Sequence, residues 1–256
     1  MILWLDPAAP PRFPPTSQAL AEPNGLLAAG GALTVPWLLA AYRRGIFPWY
    51  QEGQPILWWS PSPRLVLLPE AFRLHRSLRK RLREKGWQTS VDVAFAEVIR
   101  GCAARPEGTW ITTAIIQAYE TLHRLGYAHS IETWYEGELV GGLYGVCLDR
   151  LFFGESMFHR RPDASKIALA RLVYEALRRG IGLIDCQMST PHLRFMGANE
   201  IPRALFEAYL SRAIAPYPQP QRWSEETPSN WGEELHHLLS TFQSAQPDEK
   251  LPSANQ

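Results

Sequence analysis

HSIETWYEGELVGGLYGVCLDRLFFGESMF, from His129 to Phe158, is the stretch on which the fold turns. It holds three β-rich runs broken at Glu136-Gly137 and Asp149-Arg150, the pattern of a meander. DASKIALARLVYEALRRG, 163–180, follows and reads as a helix with Asp163 as N-cap and Gly180 just past its end. Ile167, Leu169, Leu172, Val173, Ala176 and Leu177 give it one broad apolar face. IGLIDCQ, 181–187, is then a strand, and PHLRFMG, 191–197, is helix-like. The order β-β-β-α-β-α predicts a mixed sheet with a crossover helix, hence an α/β or α+β domain.

Upstream, the first sixty or so residues are rich in Pro, Gly and Trp and predict a small, irregular N-terminal domain, 1–62. Its one clear helix runs from Val35 or Pro36 to Arg44, with Thr34 as N-cap, Pro36 in the first turn and Gly45 as stop. The larger domain, 63–222, is expected to contain a basic helix in RLHRSLRKRLREKG, 73–86, where Leu74, Leu78 and Leu82 recur every four residues. Helices are also expected at about Val93–Ala103, capped by Asp92, and at Thr113–Leu125, ending at Gly126. From Trp223 the chain turns polar, and 223–256 is expected to be a tail whose last dozen residues are disordered.

With 46% hydrophobic and 20% charged residues, the 256-residue chain has the composition of a globular protein rather than a membrane or disordered one. No apolar run approaches the roughly 20 residues of a membrane span, and MILWLDPAAPPRFPP lacks the basic-then-apolar order of a signal peptide. Three widely spaced cysteines, Cys102, Cys147 and Cys186, suggest neither a disulfide framework nor a zinc site. A cytoplasmic location is expected. The net charge of +1 hides an asymmetry: between Arg73 and Lys85 seven Lys or Arg stand against one Glu, a local +6 that leaves −5 for the rest. So concentrated a cationic segment calls for counter-charge, and a phosphate backbone is the obvious source. It carries no base-reading signature, so it would bind by shape and charge.

Candidate site residues stand where polar groups interrupt apolar strands. In LIDCQ, Asp185 and Gln187 alternate with Cys186 and so share a face of the strand. In LFFGESMF, Glu155 interrupts a strand otherwise made of Leu151, Phe152, Phe153, Met157 and Phe158. Burying a carboxylate costs several kcal/mol without a partner. Two apolar strands each carrying an acid therefore suggest a cleft for a cationic or amine ligand. Cys186 is expected to be a bystander: an ordinary thiol of pKa about 8.5 is only a few per cent thiolate at neutral pH, and His192 lies beyond a proline on the next element. Several of the ten tryptophans, Trp49, Trp58, Trp59 and Trp110, fall in Gly/Pro-rich connections, where a preformed apolar pocket is more natural than core.

Taken together, GLLAAGGAL, RRGIFPWY, WWSPSPR, FAEVIRGCA, EGTWIT, ELVGGLYGV, FFGESMFHRRPDASK, LIDCQ and GANEIPR, spanning Asn24 to Arg203, resemble the leucyl/phenylalanyl-tRNA–protein transferase family. The resemblance implies a bacterial enzyme that moves Leu or Phe, less readily Met, from Leu-tRNA or Phe-tRNA to proteins beginning with Arg or Lys. The product enters the N-degron (N-end rule) degradation pathway. It implies a small N-terminal domain in front of a GNAT-type acyltransferase domain with a mixed, mainly antiparallel sheet. It also implies a monomer with no cofactor, no metal and no membrane partner. FHRRPDASK, between the Glu155 strand and the following helix, lacks the Gly-rich loop that cradles a pyrophosphate, so acetyl-CoA is not the expected donor.

Carried onto this sequence, the family's aminoacyl pocket falls on Trp49, Trp110, Leu143, Phe152 and Leu172. Its catalytic positions fall on Glu155, Asp185 and Gln187, and its tRNA contacts on Arg76, Arg79, Lys80 and Arg83. Asp185 is expected to accept or relay the amine proton and to orient Gln187, which would hold the amine or polarise the reacting centre. Pairing of either carboxylate with the acceptor's cationic side chain stays open beside that role. The rivals are an acetyltransferase with an unusual donor loop, an aminoacyl-tRNA-dependent transferase acting on a cell-wall precursor, whose doubled domain would show as an internal repeat that this sequence lacks, and an RNA-binding module with no catalysis.

Overall fold

The computed structural model describes residues 2–106, 108–223 and 228–245. It is a mixed α/β protein with two sheets. Strands β1 (Leu3–Leu5), β2 (Leu26–Gly30), β3 (Phe47–Pro48) and β4 (Leu57–Trp59) form a small sheet in the order β1-β2-β4-β3, with helix α1 (Val35–Tyr42) inserted after β2. The expected helix is present but stops at Tyr42. Thr34 is its N-cap by backbone conformation, without a side-chain bond.

The second sheet has seven strands. These are β5 (Arg64–Leu67), β6 (Trp87–Val91), β7 (Ala128–Tyr135), β8 (Glu138–Leu148), β9 (Leu151–His159), β10 (Leu183–Gln187) and β11 (Asn199–Ile201). They lie in the order β11-β5-β10-β9-β8-β7-β6, all antiparallel except β9 with β10. The meander is β7-β8-β9, and its two turns place Glu136 and Asp149 at positive φ. Helices α3 (Phe95–Ala103) and α4 (Thr113–Arg124) cover one face. The other face is covered by α5 (Ala164–Arg179), the crossover between β9 and β10. Shorter helices α2 (Arg76–Arg81), α6 (Pro191–Phe195) and α7 (Arg203–Ala213) fill the edges, and α8 (Trp231–Ala245) lies against α5.

The two sheets share a core. Trp37, Tyr42, Phe47 and Trp58 from the first sixty residues pack in one cluster with Phe95, Tyr119, Tyr144, Phe153 and Phe206. No helix among the described residues is long and apolar enough to cross a membrane.

Four local expectations differ from the structure. The basic helix spans only Arg76–Arg81, because His75 is extended ahead of it and the chain tightens into turns after Leu82; Leu78 is buried, and Leu74 and Leu82 are half-buried. Asp92 does not cap α3, whose N-cap is Ala94; it sits at φ 60° and accepts from Ser130 N and His129 Nδ1. Asp163 is the N-cap residue of α5 as expected, but without the side-chain cap bond: its carboxylate binds Lys166 Nζ at 2.8 Å and Arg81 Nε at 3.3 Å. The polar stretch after Trp223 contains α8, held by the buried Trp231, Leu235 and Leu239. Of the last dozen residues, expected to be disordered, all but Ala245 lie outside the described residues.

One feature of the register positions the site. β9 and β10 pair only from Leu183↔Leu151 to Asp185↔Phe153. Beyond that point β9 continues along β8 to His159, while β10 bulges between Asp185 and Gln187 and stays with β5. The two strands part like a wedge. Gly145 on β8 lets a wall of this wedge form, since a Cβ there would stand 2.2 Å from the Phe153 carbonyl oxygen and 2.6 Å from the Phe152 ring.

Candidate active site

A cavity of about 280 Å³ occupies the wedge. Its apolar part is made by Trp110, Leu143, Phe152, Leu169, Leu172 and Ile184. Four of the five expected pocket residues are therefore brought together: Trp110, Leu143, Phe152 and Leu172. Trp49 is not among the cavity-lining side chains; it is 36% exposed beyond β3 and leans edge-on against Trp59, with ring centroids 5.3 Å apart.

At the polar end lie Glu155, Asp185 and Gln187. Glu155 points from β9 towards α1 and α4. Its Oε1 accepts from Tyr42 Oη at 2.7 Å and from Gln187 Nε2 at 2.8 Å, and its Oε2 accepts from Tyr119 Oη at 3.2 Å. The two tyrosine hydroxyls also touch each other. Burial pushes the Glu155 carboxyl up to about 7; the hydroxyls of Tyr42 and Tyr119 offset part of that, the Asp185 charge adds to it, and the Gln187 amide offsets a little more. Burial likewise raises both tyrosines well above their usual value, with the Glu155 charge as the second cause, so they act as hydroxyl donors.

Asp185 has a different environment. Arg64 on β5 grips it with two bonds, Nε to Oδ1 at 2.8 Å and Nη2 to Oδ2 at 2.6 Å, and both side chains are shut off from solvent. Oδ1 also accepts from the Gln187 backbone N at 2.9 Å. Charge-assisted bidentate pairs of this kind fix geometry, and here the pair holds Gln187 at φ 60°. That backbone conformation is uncommon for a residue with a side chain. It turns Gln187 Nε2 onto Glu155 and leaves its amide oxygen without a hydrogen-bond partner among the described residues. Cys186 sits between them with its thiol pushed up by burial first and by the Asp185 charge second, in part offset by Arg64. A thiol so disposed is a poor nucleophile.

Arg64, Tyr42, Tyr119, Tyr144 and Arg105 are site residues that the sequence reading did not single out. Tyr144 lines the cavity with its hydroxyl buried and without a hydrogen-bond partner among the described residues. Arg105 stands on the same wall and donates to Ser156 Oγ at 3.1 Å. A signal existed for Arg64, a cation opening the apolar run RLVLL. The tyrosines carried none, being ordinary apolar positions of α1, α4 and β8.

The four basic residues Arg76, Arg79, Lys80 and Arg83 line one surface depression together with Ser77. Arg81 of the same helix is turned away and engaged by Glu84 and Asp163. Among the described residues no group of three or more His, Cys, Asp or Glu side chains could hold a metal ion.

The family model described as leucyl/phenylalanyl-tRNA protein transferase matches residues 66–211, and that of its N-terminal domain matches 31–62. Leucyl/phenylalanyl-tRNA–protein transferases from Azoarcus sp. and Aromatoleum aromaticum are 60% and 59% identical to this chain. The first covers 89% of this chain and 97% of its own length, the second 88% and 96%. The relative from Leptothrix cholodnii is 54% identical over 90% of this chain and 94% of its own. Among solved structures, a GCN5-related N-acetyltransferase from Kribbella flavida aligns at 12% identity and a TM-score of 0.35, covering 61% of this chain and 56% of that one, too slight a likeness to argue from. On the two family matches and the identity carried across nearly the whole of these relatives, the chain belongs to the leucyl/phenylalanyl-tRNA–protein transferase family.

Proposed function

We propose that this protein forms a peptide bond between Leu or Phe, less readily Met, carried as an ester on tRNA, and the α-amine of a polypeptide beginning with Arg or Lys. The observation that carries the reading is the juxtaposition of an apolar cavity with a buried carboxylate whose pKa is about 7. The cavity takes the aminoacyl side chain, with Trp110, Leu143, Phe152 and Leu172 as its walls. Arg76, Arg79, Lys80 and Arg83 bind the acceptor stem by charge.

The donor ester is already activated, so the step needs a positioned amine rather than an energy source. An α-amine of pKa about 7.7 is roughly a fifth neutral at pH 7. The Gln187 amide oxygen accepts a hydrogen bond from the amine and aims the nitrogen at the ester carbonyl. As the C–N bond forms, Glu155 accepts the proton released by nitrogen and passes it to the tRNA ribose oxygen, which leaves with the electron pair of the broken C–O bond. A group near pKa 7 suits proton transfer at neutral pH. Asp185, neutralised by the buried bidentate pair with Arg64, serves as the anchor for Gln187 rather than as the base. Holding amine and ester together supplies most of the acceleration, a contribution that reaches ~7–11 kcal/mol in well-oriented systems.

The larger domain reads as GNAT-type on the sequence of meander, crossover helix α5 and parallel strand β10. The chain acts as a monomer in the cytoplasm, and its products enter the N-degron pathway. The deciding experiment is transfer of radiolabelled Leu from Leu-tRNA to a protein with N-terminal Arg, without ATP, beside an N-terminal Ala control. Label on the Arg protein alone is expected. Tight binding of tRNA irrespective of charging, with no labelled product, refutes the reading in favour of an RNA-binding module.

A further inference from the structure

Helix α8 lies beyond residue 211, where the family match ends, yet it meets the helix assigned to the acceptor stem. Trp231, Leu235 and Leu239 are buried and dock α8 on α5, where Arg171 lies over the Trp231 ring at 5.5 Å and Tyr174 donates to Glu234. From that seat α8 reaches α2 and the turn that follows it at three points. Gly232 lies against Leu82, where a Cβ would sit 3.4 Å from the Leu82 Cβ. Arg79 Nη1 donates to His236 Nε2. Glu233 Oε1 is 3.6 Å from Arg83 Nη2, both side chains more than half exposed.

α2 has only six residues, far short of the ~12–15 at which an isolated helix becomes even marginal in water. It carries consecutive cations Arg79, Lys80 and Arg81 in its last turn. A segment so short and so charged needs an external support to present its guanidinium groups in one direction. An arginine fixed in advance loses less rotamer freedom on meeting a phosphate.

We propose that α8 is a positioning element for the donor tRNA, with His236 holding Arg79 in the orientation that meets the acceptor stem. His236 is then a positioning residue of the reaction: it touches neither ester nor amine. The Arg83–Glu233 pair is exposed at both ends and contributes little. This inference rests on the reading of α2 as the acceptor-stem contact.

The test compares two donors in His236→Ala and His236→Gln. One is Phe-tRNA; the other is the phenylalanyl ester of adenosine, which has no acceptor stem and cannot reach α2. In His236→Ala the KM for Phe-tRNA is expected to rise about three- to tenfold, the cost of ordering one long side chain that is no longer held in advance, with kcat unchanged. Transfer from the adenosine ester stays at the wild-type rate. Gln, whose amide oxygen can accept from Arg79, restores most of the affinity. An unchanged KM for Phe-tRNA in His236→Ala overturns the inference, as does an equal loss with both donors. A wild-type chain that transfers from neither donor overturns the functional reading, and this inference with it.

Discussion

Replacing Glu155 by Gln removes a titration from the middle of the protein while keeping the shape of the side chain. Glu155 is 9% exposed, and burial is the main reason its carboxyl sits at about 7 rather than the usual 4.5. Between those two values the native chain holds a proton that the unfolded chain has released. Wild-type stability therefore falls as pH rises from about 4.5 to about 7, and remains lower above that. At 1.36 kcal/mol per pH unit the gap is about 3 kcal/mol. Urea unfolding of wild type and Glu155→Gln, run from pH 4.5 to 8.5, reads this as a difference. The variant should gain on the wild type by about 3 kcal/mol across the range, whatever other groups titrate in both. A difference that stays flat with pH refutes the raised carboxyl, and with it the choice of Glu155 as base. The same variant should transfer Phe about 10²–10⁴-fold more slowly. It should also lose the rise in wild-type kcat/KM through about pH 7 that ionisation of Glu155 produces.

Arg64→Met leaves Asp185 buried without its cation and should cost ~3–5 kcal/mol, read as a fall in Tm; a fall below 1 °C would show that the pair is not an anchor. Cys186→Ala should transfer within about twofold of wild type, measured with saturating Phe-tRNA, and loss of transfer in a folded variant would revive a covalent thiol route. Trp110→Ala should raise the KM for Phe-tRNA more than Trp49→Ala does, since only Trp110 lines the cavity. The reverse order across a donor titration would move the pocket towards the small sheet.

The meander was legible because its turn chemistry is local: Glu136-Gly137 and Asp149-Arg150 stand where the chain adopts positive φ, and the runs between them have strand composition. α5 was legible for the same kind of reason, a continuous apolar face with Gly180 in the left-handed conformation at its end. Asp92 misled because a carboxylate ahead of a helix caps it only if the backbone turns the right way; at φ 60° it reaches across to β7 instead. α8 was missed because the polarity of the whole tail outweighed Trp231, Leu235 and Leu239, whose spacing is helical. At the site, Glu155, Asp185 and Gln187 announced themselves as polar residues in apolar strands. Tyr42 and Tyr119 could not, because what marks them is meeting each other across 77 residues of chain. Proximity of that kind is produced by tertiary packing and leaves no periodic trace.

Tyr42 closes α1, in the part of the chain that also forms the small sheet, yet it donates to Glu155 in the seven-stranded sheet. The reaction centre is thus common property of both parts, and neither half can inherit it alone. A break in the chain near residue 62 would go unnoticed while the shared core held the pieces together. Activity would vanish only when they were pulled apart, and mixing the separated halves would restore it only as fast as that core reassembled.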